Sequence, residues 1–236
     1  MRFKINWFIH KLQADKKIRI WLWIGFTSLF LGAFLVVTTE VQEAAAGHPE
    51  LIGVIDNLPS HFLSHIRNPR LNGIAVDLTA LGSGTVVALF VLATAILMSF
   101  RKRYFQILHL LVATLGSAIL TVVMKFYFER PRPEASMRLV HVDGYSYPSG
   151  HSLVSAALYF TFAIFLCQDF NKPVQRTLII GFSLIFIFLI ATSRVYLGAH
   201  YISDVIAGVL LGVGWASLLG VASTYFQIRR DSHDAK

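Results

Sequence analysis

Residues 145–167 read YSYPSGHSLVSAALYFTFAIFLC. From Leu153 onward the run is apolar, with the makings of a membrane crossing. Directly before it stand Pro148, Ser149, Gly150 and His151. A connecting loop needs one turn residue rather than this set. The stretch reads either as a turn with a helix cap, or as an anion-binding corner with a titratable group beside it. Its surroundings decide between the two.

Those surroundings are membrane. The 236 residues are 55% hydrophobic and 14% charged, with mean hydropathy +0.61, whereas soluble domains carry roughly 25% charged residues. Six apolar runs, near 20–39, 82–100, 105–127, 152–168, 176–194 and 202–223, suit a hydrocarbon layer of about 30 Å. No repeat, low-complexity tract or soluble domain interrupts them. The expected architecture is all-α, a single six-helix transmembrane bundle over 1–236, because backbone exposed to lipid must satisfy its own hydrogen bonds. In this setting the net charge of +8 is a topology signal and a partner for anionic headgroups, not the footprint of a nucleic-acid binder. Cys167, the single cysteine, lies inside an apolar run and reads as a small core residue.

Lys and Arg near the run ends set the expected orientation. Arg2, Lys4, Lys11, Lys16, Lys17 and Arg19 precede the first run. Arg101 to Arg103, Lys172 with Arg176, and Arg229 with Arg230 fall on the same side if there are six spans. That side is the cytoplasm, with both termini and the basic segment 1–19 on it. EAAAG at 43–47 resembles a cleavage site, but the apolar run before it exceeds the ~7–15 residues of a signal core, so an uncleaved anchor is expected. Residues 1–17 mix aromatic and basic side chains as an amphipathic surface helix would. Residues 40–81, 128–151 and 195–201 fall outside. The first of these is expected to form a short interfacial helix, a lid over the entrance from lipid. His61 and His65 share a helix face there, but no further ligand stands near, so they read as surface histidines rather than a metal pair. Arg130, Arg132, Arg138 and Arg194 defy the charge rule, and residues that do so often have a local job.

The polar residues at the outer ends of spans three to six carry the chemistry. KFYFERPRP supplies Lys125 and Arg132, PSGH supplies Ser149, Gly150 and His151, and SRVYLGAHYISD supplies Ser193, Arg194, His200 and Asp204. Each alone has an ordinary reading as a snorkelling cation, a turn or a cap. Together, in three loops on one membrane face, they describe a phosphate site. Lys125, Arg132 and Arg194 can hold a phosphoryl dianion without a metal. Ser149, Gly150 and His151 offer the free amides of a helix start, and Gly150 admits close approach of a ligand. His200 and Asp204, four apart, share a helix face. The carboxylate fixes one ring nitrogen and frees the other as nucleophile. His151, on another segment, suits the general acid and later the base. No metal or other cofactor is called for.

These motifs, K-x6-R-P at Lys125, Arg132 and Pro133, PSGH at Pro148–His151, and S-R-x5-H-x3-D from Ser193 to Asp204, resemble the type 2 phosphatidic acid phosphatase superfamily, the lipid phosphate phosphatases related to vanadium haloperoxidases. The resemblance covers the catalytic motifs at 125–204, and the span layout extends it to most of the chain. It implies that Lys125, Arg132, Ser149, Gly150 and Arg194 hold phosphate, and that His151, His200 and Asp204 are acid/base, nucleophile and orienting carboxylate. It implies a phosphorylated membrane lipid as partner: undecaprenyl diphosphate and phosphatidylglycerol phosphate ahead of phosphatidic acid or lipid A. The expected setting is a bacterial cytoplasmic (inner) membrane, with the active site facing the periplasm. Two other classes compete: a lipid phosphotransferase using the same phosphohistidine, and a phospholipid transporter with no chemistry. The clustering of charge at one end of the spans opposes a transport path.

Overall fold

In the computed structural model, residues 16–48 and 51–234 are described, and all regular structure among them is helical. In chain order α1 is Lys16–Ala45, α2 Leu51–Ile66, α3 Pro69–Ala80, α4 Gly84–Phe100, α5 Tyr104–Phe128, α6 Gly150–Asp169, α7 Pro173–Tyr196 and α8 Ile202–Asp234, with one 3-10 turn at Ala135–Met137. The surface helix expected over 1–17 falls almost wholly outside the described residues.

Five of these helices are long and apolar enough to cross a membrane. α3 and α4, which bend by 47° at their junction, pass the same test as a pair and make a sixth if the two count as one span. The expected second span, 82–100, corresponds to α4, and the segment 40–81 before it holds more helix than the single short one expected. Residues 40–45 complete α1, α2 stands alone, and the chain already turns back at Asn68. There a side-chain carbonyl caps α3, accepting from Leu71 N at 3.0 Å, with Pro69 in the first turn. The sequence hides this because α3 carries Arg70, Asn72 and Asp77 and so fails an apolar test.

The bend sits at a close packing contact. A Cβ on Gly82 would stand 2.7 Å from Ile190 Cγ2 and 3.4 Å from the His151 side chain. Tyr159 of α6 donates its hydroxyl to the Leu81 carbonyl at 3.1 Å, filling an acceptor that the break leaves open.

Two helices form the centre. In α6 and α8, 56% of the spanning window is buried, against 11% in α1. Water is not what drives helices together in lipid, so close contact of small residues matters most. The α6–α8 seam shows this. A Cβ on Gly208 would stand 2.6 Å from Ser149 O, and one on Gly212 would strike Leu153 O and lie 2.8 Å from Ala156 Cβ. Trp215 of α8 donates to Ala113 O of α5 at 3.1 Å, with its ring over Gly116. Leu153, Ala207 and Leu211 join Phe34, Val41 and Tyr147 in the core beside α1. The outward faces of α1, α4, α5 and α7 carry exposed residues such as Trp21, Leu97, Phe126 and Phe188, the normal complement to lipid.

The Gly212→Leu variant should therefore force α6 and α8 apart. Overpacking of this kind costs about 1–3 kcal/mol. The thermal midpoint in detergent should fall well below that of Gly181→Leu, where no atom lies within 4 Å of the new Cβ. Equal midpoints would contradict the seam.

Candidate functional site

The residues singled out from the sequence lie at one end of the bundle. Lys125 occupies the last turn of α5 and Arg132 the irregular segment after it. Ser149 caps α6, with Gly150 and His151 in its first turn. Arg194 ends α7, His200 lies in the turn that follows, and Asp204 stands in the first turn of α8. Lys125, Arg132, Arg194, His151 and His200 fall within electrostatic range of one another.

Neutral oxygens hold the three cations. Lys125 Nζ donates to Tyr145 O. Arg132 donates from Nε to Gly144 O (2.9 Å), from Nη2 to Asp143 O (3.0 Å) and from Nη1 to Ala199 O (2.8 Å). Arg194, only 5% exposed, donates from Nη1 to Thr79 Oγ1 at 2.8 Å, and its Nε has no acceptor. Among the described residues none of the three forms an ion pair. The result is concentrated positive charge with an unmet donor, a setting that favours a dianion. Beside it, the amides of Gly150 and His151 have no hydrogen-bond partner among the described residues, and they sit at the positive end of α6.

Ser149 is placed differently from the sequence expectation. Its amide donates to Asp204 O at 3.0 Å, and its hydroxyl accepts from Ser152 N (3.5 Å) and Ser152 Oγ (3.0 Å). Its amide is therefore not among the free ones, and the residue, fully buried, ties α6 to α8. Gly150 is also constrained by packing, because a Cβ there would meet Thr121 Cγ2 of α5 at 2.8 Å.

His200 is 4% exposed, and hydrogen-bond chemistry fixes its tautomer. Nδ1 lies 3.4 Å from Asp204 Oδ2, and Nε2 lies 3.3 Å from Arg132 Nη1. A carboxylate only accepts and a guanidinium only donates. Nδ1 therefore carries the proton and Nε2 the lone pair. Burial, only partly opposed by the Asp204 hydrogen bond and charge, pushes the His200 pKa down to about 4. The ring is neutral across the physiological range.

Asp204 is held from several sides. Oδ2 accepts from Tyr201 N at 3.0 Å and from Ser146 Oγ, and Oδ1 accepts from Arg130 Nη1 at 2.5 Å. Arg130 also donates from Nη2 to Asp56 Oδ2 of α2 at 2.7 Å and stacks 4.4 Å over the Tyr201 ring. Burial disfavours its charge, but Asp204 and Asp56 prevail and raise its pKa.

Arg130, Asp56, Ser146 and Thr79 were not singled out from the sequence as site residues. Arg130 gave a signal, as a cation on the side the charge rule disfavours. Asp56 gave a fainter one, as the carboxylate of the apolar stretch LIGVIDNLP. Ser146 and Thr79 gave none. His65 is exposed on α2, and the His61 side chain lies outside the description. Among the described residues no group of three or more His, Cys, Asp and Glu side chains is arranged to hold a metal ion.

The chain is similar to known proteins. Residues 106–228 match the family model described as PAP2 superfamily. Phosphatidylglycerophosphatase B of Bacillus subtilis is 35% identical over 189 residues, covering 79% of this chain and 88% of that protein. The undecaprenyl-diphosphatase of Sulfolobus acidocaldarius is 33% identical over 156 residues, covering 64% and 69%. The crystal structure of a transmembrane PAP2 type phosphatidylglycerolphosphate phosphatase from Bacillus subtilis superposes with a TM-score of 0.72 at 28% identity, over 82% of this chain and 94% of that one.

The unpaired cations predict anion binding that is independent of turnover. Hydrogen bonds to charged groups contribute about 1.5–3 kcal/mol, so Arg194→Ala should weaken vanadate binding roughly 10- to 100-fold by calorimetry in detergent. Thr79→Val, which removes the acceptor at 2.8 Å, should weaken it in the same direction by less. Unchanged affinity in both would remove Arg194 from the anion site.

Proposed function

The chain belongs to the PAP2 superfamily, and from that premise we propose that it hydrolyses phosphorylated membrane lipids through a phosphohistidine on His200. The observation that carries this is the pairing of three unneutralised cations with a buried histidine of fixed tautomer. Lys125, Arg132 and Arg194, with the Gly150 and His151 amides, bind the phosphoryl oxygens, and Ser149 shapes the cradle as the cap of α6. The His200 Nε2 lone pair attacks phosphorus. The bond to the leaving oxygen breaks, and His151 gives that oxygen its proton. His151 then takes a proton from water, the water oxygen attacks phosphorus, and the N–P bond returns its electrons to His200. Asp204 keeps Nδ1 protonated and offsets the charge gained by the ring. The three cations act most strongly on the trigonal-bipyramidal state, where charge on the equatorial oxygens is greatest.

The names of the relatives support phosphatidylglycerol phosphate and undecaprenyl diphosphate as the first substrates to test. The distribution of Lys and Arg supports placement in the cytoplasmic membrane, with both termini inside and the site facing out.

Purified protein in detergent with excess EDTA should release inorganic phosphate from at least one of these lipids with no acceptor present. Product found only after an acceptor lipid is added would turn the reading to phosphotransfer. His200→Ala should abolish release yet still bind vanadate, because the cations remain. Wild-type release should be inhibited by vanadate competitively.

The pH profile carries a separate expectation. The neutral His200 is the active form, and its pKa lies near 4 rather than the ordinary ~6.5. Corrected for substrate ionisation, kcat/KM should hold as pH falls through 6 and be lost only towards pH 4, as the ring gains a proton. An acid limb at 6.5 with every substrate would contradict a buried nucleophile.

A further inference from the structure

We infer that Asp56 of α2 is a positioning residue for this reaction, acting through Arg130 on Asp204, so that turnover requires α2 to be seated on the bundle. The inference rests on the reading of His200 as nucleophile and Asp204 as its orienting carboxylate.

Three observations carry it. The first is a charge relation. Arg130 bridges two buried carboxylates, giving Nη1 to Asp204 Oδ1 at 2.5 Å and Nη2 to Asp56 Oδ2 at 2.7 Å. One guanidinium between two acids is held in a fixed plane by its fork of donors. Without Asp56 no hydrogen bond holds Nη2, and the guanidinium that fixes Asp204 Oδ1 keeps only its Nη1 bonds and its stacking on Tyr201.

The second is a cap supplied from another helix. Asp56 Oδ1 accepts from Ser203 N at 2.9 Å, and Oδ2 accepts from Ser203 Oγ at 2.6 Å. Ser203 is in the first turn of α8, next to Asp204. Asp56 therefore places a negative charge at the positive end of α8 and satisfies an amide that the helix cannot. Ser203 Oγ accepts from Arg130 Nη1 at 2.8 Å in turn. A carboxylate of α2 thus fixes both the guanidinium and the backbone that bear on Asp204.

The third is the geometry of α2 itself. Ile52, one turn before Asp56, is buried in the core with Tyr147 and Leu153. Val54, Leu58 and Phe62, at steps of four, are 60%, 58% and 63% exposed. α2 therefore turns Ile52 and Asp56 to the bundle and an apolar stripe away from it. A stripe of that kind lies in the membrane interface. The opposite face is seated on the bundle by Asp56 together with buried Ile52 and Leu63.

Asp56 touches neither a phosphate-binding cation nor His200, so its loss should appear in kcat rather than KM. By analogy with residues that orient a ligand from one layer out, Asp56→Asn should lower kcat on the order of 10- to 100-fold. KM and vanadate affinity should stay near wild type, and Asp56→Glu should recover part of kcat. A double-mutant cycle tests the route. Asp56→Asn added to Asp204→Asn should cost little more than Asp204→Asn alone, since both act on the same interaction.

Wild-type kcat in Asp56→Asn, a change confined to KM, or losses that multiply in the double variant would each overturn the inference. If Asp56→Asn fails to fold, Asp56→Glu decides. A folded Glu variant with reduced kcat and unchanged vanadate binding supports positioning, whereas one that also fails to fold makes the role structural and overturns it. His200→Ala, assayed beside these, separates the two readings. Turnover in His200→Ala sinks the nucleophile, while a dead His200→Ala with an unaffected Asp56→Asn sinks only the role of Asp56.

Discussion

Three cations at one end of an apolar bundle repel one another, and nearby carboxylates would relieve that repulsion cheaply. The structure does not use them so. Lys125, Arg132 and Arg194 are oriented by the carbonyls of Tyr145, Gly144, Asp143 and Ala199 and by the Thr79 hydroxyl. Dipoles of this kind aim a charge without cancelling it. The two buried acids, Asp56 and Asp204, are given to Arg130 instead. Positive and negative charge are thereby segregated within one network. An incoming phosphate has no internal counter-ion to displace, and the histidine still has a carboxylate behind it.

That segregation depends on where loop carbonyls point, so the loops must be as fixed as the helices. Backbone bonds do this. Ser146 N donates to Arg130 O at 2.8 Å, Leu139 N to Leu197 O at 2.9 Å and Ser149 N to Asp204 O at 3.0 Å. Arg67 adds side-chain bonds to Met137 O (3.0 Å) and Tyr196 O (2.6 Å). Gly198, at φ +68°, lets the chain leave α7 against the Met137 carbonyl, which any Cβ would strike. Irregular backbone at this depth survives because it is buried in protein and its polar groups are matched.

The sequence showed most of this in outline, for physical reasons. Long apolar runs betray spans, and Lys125, Arg132, His151, Arg194, His200 and Asp204 are expensive at a membrane edge, so their joint presence was legible. What escaped depends on partners distant along the chain. Arg130 meets Asp204 across 74 residues, Asp56 meets Ser203 across 147, and Thr79 meets Arg194 across 115. Each is ordinary in its own neighbourhood. Ser149 and Gly150 were noticed as a ligand corner, but a cap and a close contact with Thr121 look the same in sequence as an anion cradle. The span at 82–100 was legible, but the α3 helix leading into it was not, because Arg70, Asn72 and Asp77 mask its apolar face.

The length of α6 fixes how deep the cradle lies. Its 20 residues, at 1.5 Å each, reach about 30 Å, the thickness of the hydrocarbon layer. The far end is moored at a polar boundary, where Asp169 meets Arg101 at 3.2 Å and Arg103 at 2.5 Å, and Gln106 meets Gln168 at 2.9 Å. If α6 crosses along the membrane normal, its Gly150 end falls near the opposite boundary, where a bilayer lipid carries its own phosphate. A lipid can present its headgroup there while its tails stay in the leaflet. On the proposed function, the work of extraction would disappear, and tail length would be a property of the surrounding membrane rather than something the protein must measure.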